Sequence, residues 1–168
     1  MAYFLGKQDP VYDERTLLLA SYLDSSQLPP VPPALRWGSK VQHFPIFGNN
    51  KMGNCVFASA AHMRVNWAAN SGHQISITED DVVAAYSAVT GYDPRTGRND
   101  NGANMLQALK WWRRNSIGGE TIMAFASVEP GNSYHVKVSV ALFGGLHTGI
   151  SLPQSGRSQM NRGQPWTV

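Results

Sequence analysis

Hydrophobic residues recur at helical spacing in four stretches of the chain, and Gly, Asn or acidic residues bound each stretch. The pattern predicts helices over residues 55–70, 78–90, 102–114 and 132–143, the third capped by Asp100 or Asn101. Two shorter stretches, residues 121–128 and 146–152, are typical of strands. Two helical turns are predicted for residues 16–23, and a polar loop for residues 154–168.

The first part of the chain has a different pattern. Four prolines between residues 29 and 33 favour an extended, polyproline-like backbone. We therefore expect residues 1–37 to form an extended N-terminal arm ahead of a domain spanning residues 38–168. Such an arm has little core of its own, so it should lie across its own domain or across a neighbouring molecule.

Composition narrows the class of protein. The chain has 168 residues, of which 42% are hydrophobic and 15% charged, as expected for one globular domain. Its single cysteine excludes an internal disulfide framework and a multi-thiolate metal site. A net charge of +3 is small for a nucleic-acid-binding surface. No apolar run is long enough to span a membrane, and no signal peptide is apparent. We expect synthesis in the cytoplasm, no cofactor, and neither nucleic-acid nor membrane binding.

Two other motifs have ordinary structural explanations. Asp93 and Asp100 lie in a polar loop, but the spacing of a calcium-binding loop is absent. The sequence Trp-Trp-Arg-Arg at residues 111–114 has the aromatic and basic character of a nucleic-acid patch. Helical spacing instead places Trp112 in the core and the two arginines at the helix end.

Cys55 is the main candidate for chemistry. It follows a Gly- and Asn-rich loop and begins a predicted helix. The partial positive charge of a helix N-terminus stabilises a thiolate and lowers the pKa of a thiol, which suits a nucleophile. The alternative is a buried, unreactive cysteine, a common role for a lone cysteine.

The segment Gly-Asn-Asn-Lys-Met-Gly-Asn-Cys-Val at residues 48–56, followed by Ala-Ser-Ala-Ala-His at residues 58–62, resembles the nucleophile segment of papain-like cysteine peptidases. In that superfamily a glutamine six positions before the cysteine donates to the oxyanion, and Asn49 holds that position here. Further segments resemble a papain-fold family found in bacteria and phages, namely residues 86–94, 100–102, 112–114, 128–132, 143–145 and 164–166.

The resemblance implies an α+β, papain-like fold, here with a helix-rich half and an incomplete antiparallel sheet. In the family, a Gly-Gly-His segment after the Pro-Trp-x-Val motif carries the catalytic histidine, and this sequence contains no Gly-Gly-His. We therefore expect the C-terminal part of the domain to be absent. None of the five histidines matches the catalytic position: His43, His62, His73, His135 and His147.

Two functions follow as hypotheses. The first is a papain-like domain without its catalytic histidine, which acts as a binding or structural module, for example in a phage particle. The second is a cysteine peptidase or amidase that uses Cys55 and Asn49, with the histidine-bearing half missing or supplied by another chain. An unfinished sheet and an extended arm favour protein partners, as a homo-oligomer or a larger assembly.

Overall fold

The computed structural model describes residues 6–24 and 26–164. The architecture is mixed helix and sheet, and its core is a group of three helices: α1 (Cys55–Ser71), α2 (Glu79–Thr90) and α3 (Met105–Trp112). Phe57, Val82 and Tyr86 are fully buried where these helices meet. The predicted helices at these three places are therefore confirmed.

Local sequence explains where these helices begin and end. The Thr78 hydroxyl and the Asp81 carboxylate form a capping box at the start of α2. Asn104 caps α3, in place of the predicted Asp100 or Asn101. α1 ends at Gly72, in the left-handed conformation that glycine adopts at low cost.

Two further helices follow the core. α4 (Ser133–Phe143) begins at the Asn132 cap and confirms the fourth predicted helix. Its C-terminal end is tied to α1, because Asn66 and Trp67 donate side-chain hydrogen bonds to the carbonyls of Gly144 and Phe143. α5 (Gln154–Asn161) lies where a loop was predicted, so that prediction is wrong.

The sheet differs from the expected one. β1 (Leu17–Leu18) pairs with β2 (Ala126–Ser127) in parallel, so the expectation of an antiparallel sheet is wrong. Parallel strands need a long crossover connection, whereas antiparallel strands can be joined by a short hairpin. Between β1 and β2 the helical core provides this connection. Residues 146–152 form no strand. Where two helical turns were predicted, the chain forms β1 and a short 3₁₀ helix (Leu19–Tyr22).

The described part of the arm lies on its own domain. Gly6 and Gln8 exchange backbone hydrogen bonds with Ala103, just before α3. The Trp37 indole, in a 3₁₀ turn (Trp37–Lys40), donates to the Val140 carbonyl of α4 at 2.8 Å. The arm thus makes contacts at both ends with the domain that follows it. Residues 165, 166 and 168, part of the resemblance to the papain-fold family, lie outside the described residues.

Candidate functional site

Cys55 is the first residue of α1, as the sequence predicts. The loop before it turns sharply, with left-handed backbone at Phe47 (φ 52°) and Gly48 (φ 74°). For Phe47 this conformation is strained, and its fully buried ring holds it in place. The buried Asn54 amide donates to the Phe47 carbonyl at 2.7 Å and so closes the loop immediately before the cysteine.

A polar network holds Gly53, two residues before Cys55. The Asp100 carboxylate accepts hydrogen bonds from the Gly53 backbone at 2.9 Å and from the Tyr86 hydroxyl at 2.7 Å. The Tyr86 hydroxyl accepts in turn from the Gly102 backbone. Burial, and secondarily the Asp100 carboxylate, raises the pKa of Tyr86, so this hydroxyl remains a donor at physiological pH.

Gly6 lies directly against the loop that carries the cysteine. A Cβ atom on Gly6 would overlap the Gly53 carbonyl, and one on Gly102 would overlap the Gly6 carbonyl. Only glycines allow three backbone segments to approach this closely. The neighbouring Lys7 side chain passes beside Met105 and Gly149. The N-terminal segment therefore lies over the beginning of α1.

The environment of Cys55 raises the pKa of its thiol. Burial is the main cause, and the backbone amides of Gly6, Val56 and Cys55 and the Lys7 charge act in the opposite direction. The expectation that the helix N-terminus lowers this pKa is therefore wrong in its net direction. Desolvation disfavours the thiolate more than the amides and the ammonium group stabilise it.

Asn49 is the second predicted site residue. It lies in the turn that starts at Ile46, and its backbone N–H donates to the Ile46 carbonyl at 3.1 Å. Its side-chain Oδ1 is buried and has no hydrogen-bond partner among the described residues. The structure thus keeps Asn49 in the nucleophile loop, partly withdrawn from solvent.

His147 is the histidine that the structure brings to the first turns of α1. Its Nε2 lies 2.7 Å from the Ser59 hydroxyl oxygen. Ser59 follows Cys55 by four residues, a rise of about 6 Å along the helix. Burial lowers the pKa of His147, and a hydrogen bond to the Val56 backbone acts in the opposite direction. Within residues 6–24 and 26–164, no hydrogen bond connects a histidine to the Cys55 sulfur.

The remaining histidines lie elsewhere. His62 donates from Nε2 to the Pro45 carbonyl at 2.7 Å, and its ring packs against Phe44 and Phe47. His62 is thus engaged away from Cys55, seven residues further along α1. His43 and His73 are exposed on the surface.

Sequence reasoning missed several neighbours of Cys55. The four-residue spacing to Ser59 is visible in the sequence and places both side chains on one face of α1. The contacts of Ser59 with His147 and of Gly53 with Gly6 join residues far apart in the chain. No local pattern marks either contact.

Cavities and metal-binding groups do not add to this site. A cavity of about 440 Å³ lies between α2 and α3, beside Trp111 and Arg114, and does not include Cys55. In the described part of the chain, no group of three or more His, Cys, Asp or Glu side chains is placed to hold a metal ion. In the same part, no helix has the length and apolar character of a membrane span.

Comparison with known proteins returned no match to a family model, a curated protein or a solved structure.

Proposed function

We propose that the chain is a papain-like domain that acts as a catalytically inactive binding or structural module. One observation supports this proposal above all: Cys55 lies beside the loop contact of Gly53 with Gly6, and burial raises the pKa of its thiol. A cysteine nucleophile needs thiolate and a base in contact with it. In the described structure the only hydrogen-bonded side-chain partner of the His147 ring is Ser59.

Protein partners belong to this proposal. Two strands of two residues each bury little surface, and a two-stranded sheet is marginal without further partners. Leu17 and Leu18 of β1 are 44% and 52% exposed. Unpaired backbone groups and apolar side chains at a strand edge favour pairing with another chain. The resemblance extends the proposal to a larger particle, such as a phage virion, as the assembly.

The alternative is a cysteine peptidase or amidase, which the placement of His147 favours. This function requires the ring to move from Ser59, about one helical turn along α1, to the Cys55 sulfur. Asn49 would then donate to the oxyanion. This function requires the pKa of the His147 imidazole to rise and that of the thiol to fall on contact, because each charged form stabilises the other.

An activated ester distinguishes the two functions. We expect the full chain and its Cys55→Ala variant to release p-nitrophenol from p-nitrophenyl acetate at the same slow rate, with no burst. Cys55→Ser serves as a second control, because it keeps a small polar atom at the start of α1. A burst equal to the protein concentration that is lost in Cys55→Ala would overturn the inactive-module proposal and support the hydrolase.

A further inference from the structure

The N-terminal segment beside the Cys55 loop is attached by polar contacts at its two ends and also between them, where Gln8 Nε2 donates to the Asn101 and Gly102 carbonyls and Asn104 Nδ2 donates to the Asp9 carbonyl. At one end the Gly6 carbonyl accepts from the Ala103 amide at 2.7 Å, and the Gln8 amide donates to the Ala103 carbonyl at 3.0 Å. At the other end the Lys110 ammonium group pairs with the Asp13 carboxylate. We call residues 6–13 the strap.

The strap buries little apolar surface. Gly6 is buried but has no side chain, while Gln8, Asp9 and Pro10 are exposed. Val11 and Tyr12 are 56% and 84% exposed. Local opening costs least where few apolar contacts and mainly exposed hydrogen bonds are lost. The core beneath it is different, because Phe57 and Ala61 of α1 are fully buried.

The groove beneath the strap does not depend on the strap for its form. The loop before α3 is held from inside by Tyr86 and Asp100, which bond Gly102 and Gly53 respectively. A cavity of about 220 Å³ lies beside the strap, lined by Gln8 of the strap and, on the domain side, by Asn101 and Asn104. The strap can therefore leave while the network under it stays in place.

We propose that the strap is a displaceable cover that controls access to the Cys55 thiol. With the strap closed, the Gly6 backbone lies against Gly53 of the Cys55 loop and the cysteine is only partly exposed. With the strap open, the same thiol at the start of α1 is exposed to solvent, on a folded domain. This property goes beyond the proposed module function, because it makes the reactivity of one side chain depend on the position of a segment 49 residues earlier.

Alkylation by iodoacetamide tests this cover in the full chain. Gly6→Ala places a Cβ against the Gly53 carbonyl and should lift the strap. We expect the rate constant for loss of the thiol to rise roughly tenfold, as local opening becomes the favoured state. Gly131→Ala is the matched control, because its backbone is not left-handed and a Cβ there meets no described atom within 4 Å. An unchanged rate in a folded Gly6→Ala variant would overturn the proposal.

A second variant tests the other end of the strap. Lys110→Gln removes the ion pair with Asp13, and we expect a smaller increase in alkylation, roughly two- to threefold, as for loss of a surface ion pair. The exposed Lys137→Gln is its control. Equal rates in these two variants and the native chain would mean that the Asp13 end does not hold the strap closed.

Hydrogen exchange on the native chain decides the matter even if Gly6→Ala fails to fold. The Gln8 and Ala103 amides are bonded only across the strap contact, whereas the Ala61 amide lies within α1. A displaceable cover predicts that the first two exchange far faster than Ala61, and faster still in Lys110→Gln. Exchange of all three at the rate of global unfolding would overturn the proposal.

Discussion

His147 Nε2 lies 2.7 Å from the Ser59 hydroxyl oxygen, one turn along α1 from Cys55. The imidazole nitrogen that faces α1 is thus engaged by a hydroxyl. Its Nδ1 is buried without a hydrogen-bond partner in the described structure. A ring in these surroundings is most stable uncharged, which is the opposite of the imidazolium of a thiolate–imidazolium pair.

The lowered pKa of His147 predicts that acid destabilises the protein. As pH falls below about 6.5, the unfolded chain binds a proton on this ring before the folded chain does. Stability is therefore full above that pH and is lost as pH falls toward the folded-state pKa. We expect the free energy of unfolding, from urea titrations, to drop between pH 7.5 and about 5.5.

His147→Gln should remove much of that drop, and the exposed His73→Gln should leave it unchanged. An equal acid-side loss in His147→Gln and the native chain would show that other groups cause it.

Tyr86 predicts a loss of stability on the alkaline side. Its raised pKa means that the unfolded chain releases the phenolic proton near pH 10 while the folded chain still holds it. Stability should be full below that pH and fall above it. Tyr86→Phe should flatten this fall and lower stability at pH 7 by about 1–3 kcal/mol, because Asp100 and Gly102 lose their shared partner.

Tyr22→Phe, at a position 66% exposed, is the control. It should neither flatten the alkaline fall in stability nor lower stability at pH 7. Thermal unfolding of the three proteins from pH 7 to 11 provides the measurement. A Tyr86→Phe variant as stable as the control at neutral pH would contradict the described network.

The helices of this fold could be predicted from local sequence, because their signals are local. Thr78 and Asp81 mark the start of α2, and Asn132 marks that of α4, within three residues of chain. α5 was missed because its residues are polar and carry no hydrophobic periodicity. The parallel pairing of Leu17 with Ala126 depends on contacts across the whole chain, which no residue pattern encodes.

The candidate site could be predicted only in part for the same reason. The position of Cys55 at a helix start follows from its own neighbours. The sign of its pKa shift does not, because it depends on the burial of the thiol in the folded chain, which no local pattern encodes. In the sequence, the glycines at residues 6, 53 and 102 resemble ordinary turn residues, and only the folded structure shows that their backbones are in contact.

The exposed β1 strand predicts self-association. In sedimentation velocity runs we expect the native chain to form dimers or larger species as concentration rises through the micromolar range. Leu18→Lys places a charge on the strand edge and should shift the chain toward monomer. Ile150→Lys adds the same charge at an exposed apolar residue outside the strands. A native chain that stays monomeric, or equal effects of both substitutions, would contradict strand-mediated assembly.

The pH dependence of Cys55 alkylation tests the central claim most directly. The rate constant for iodoacetamide, followed from pH 5 to 10 by mass spectrometry, reports the thiolate fraction of the single cysteine. An inactive module with a partly buried thiol predicts one inflection, above the ordinary thiol pKa of about 8.5, and the same profile in His147→Gln. Rapid alkylation that persists below pH 7 and disappears in His147→Gln would show a thiolate–imidazolium pair and contradict the account.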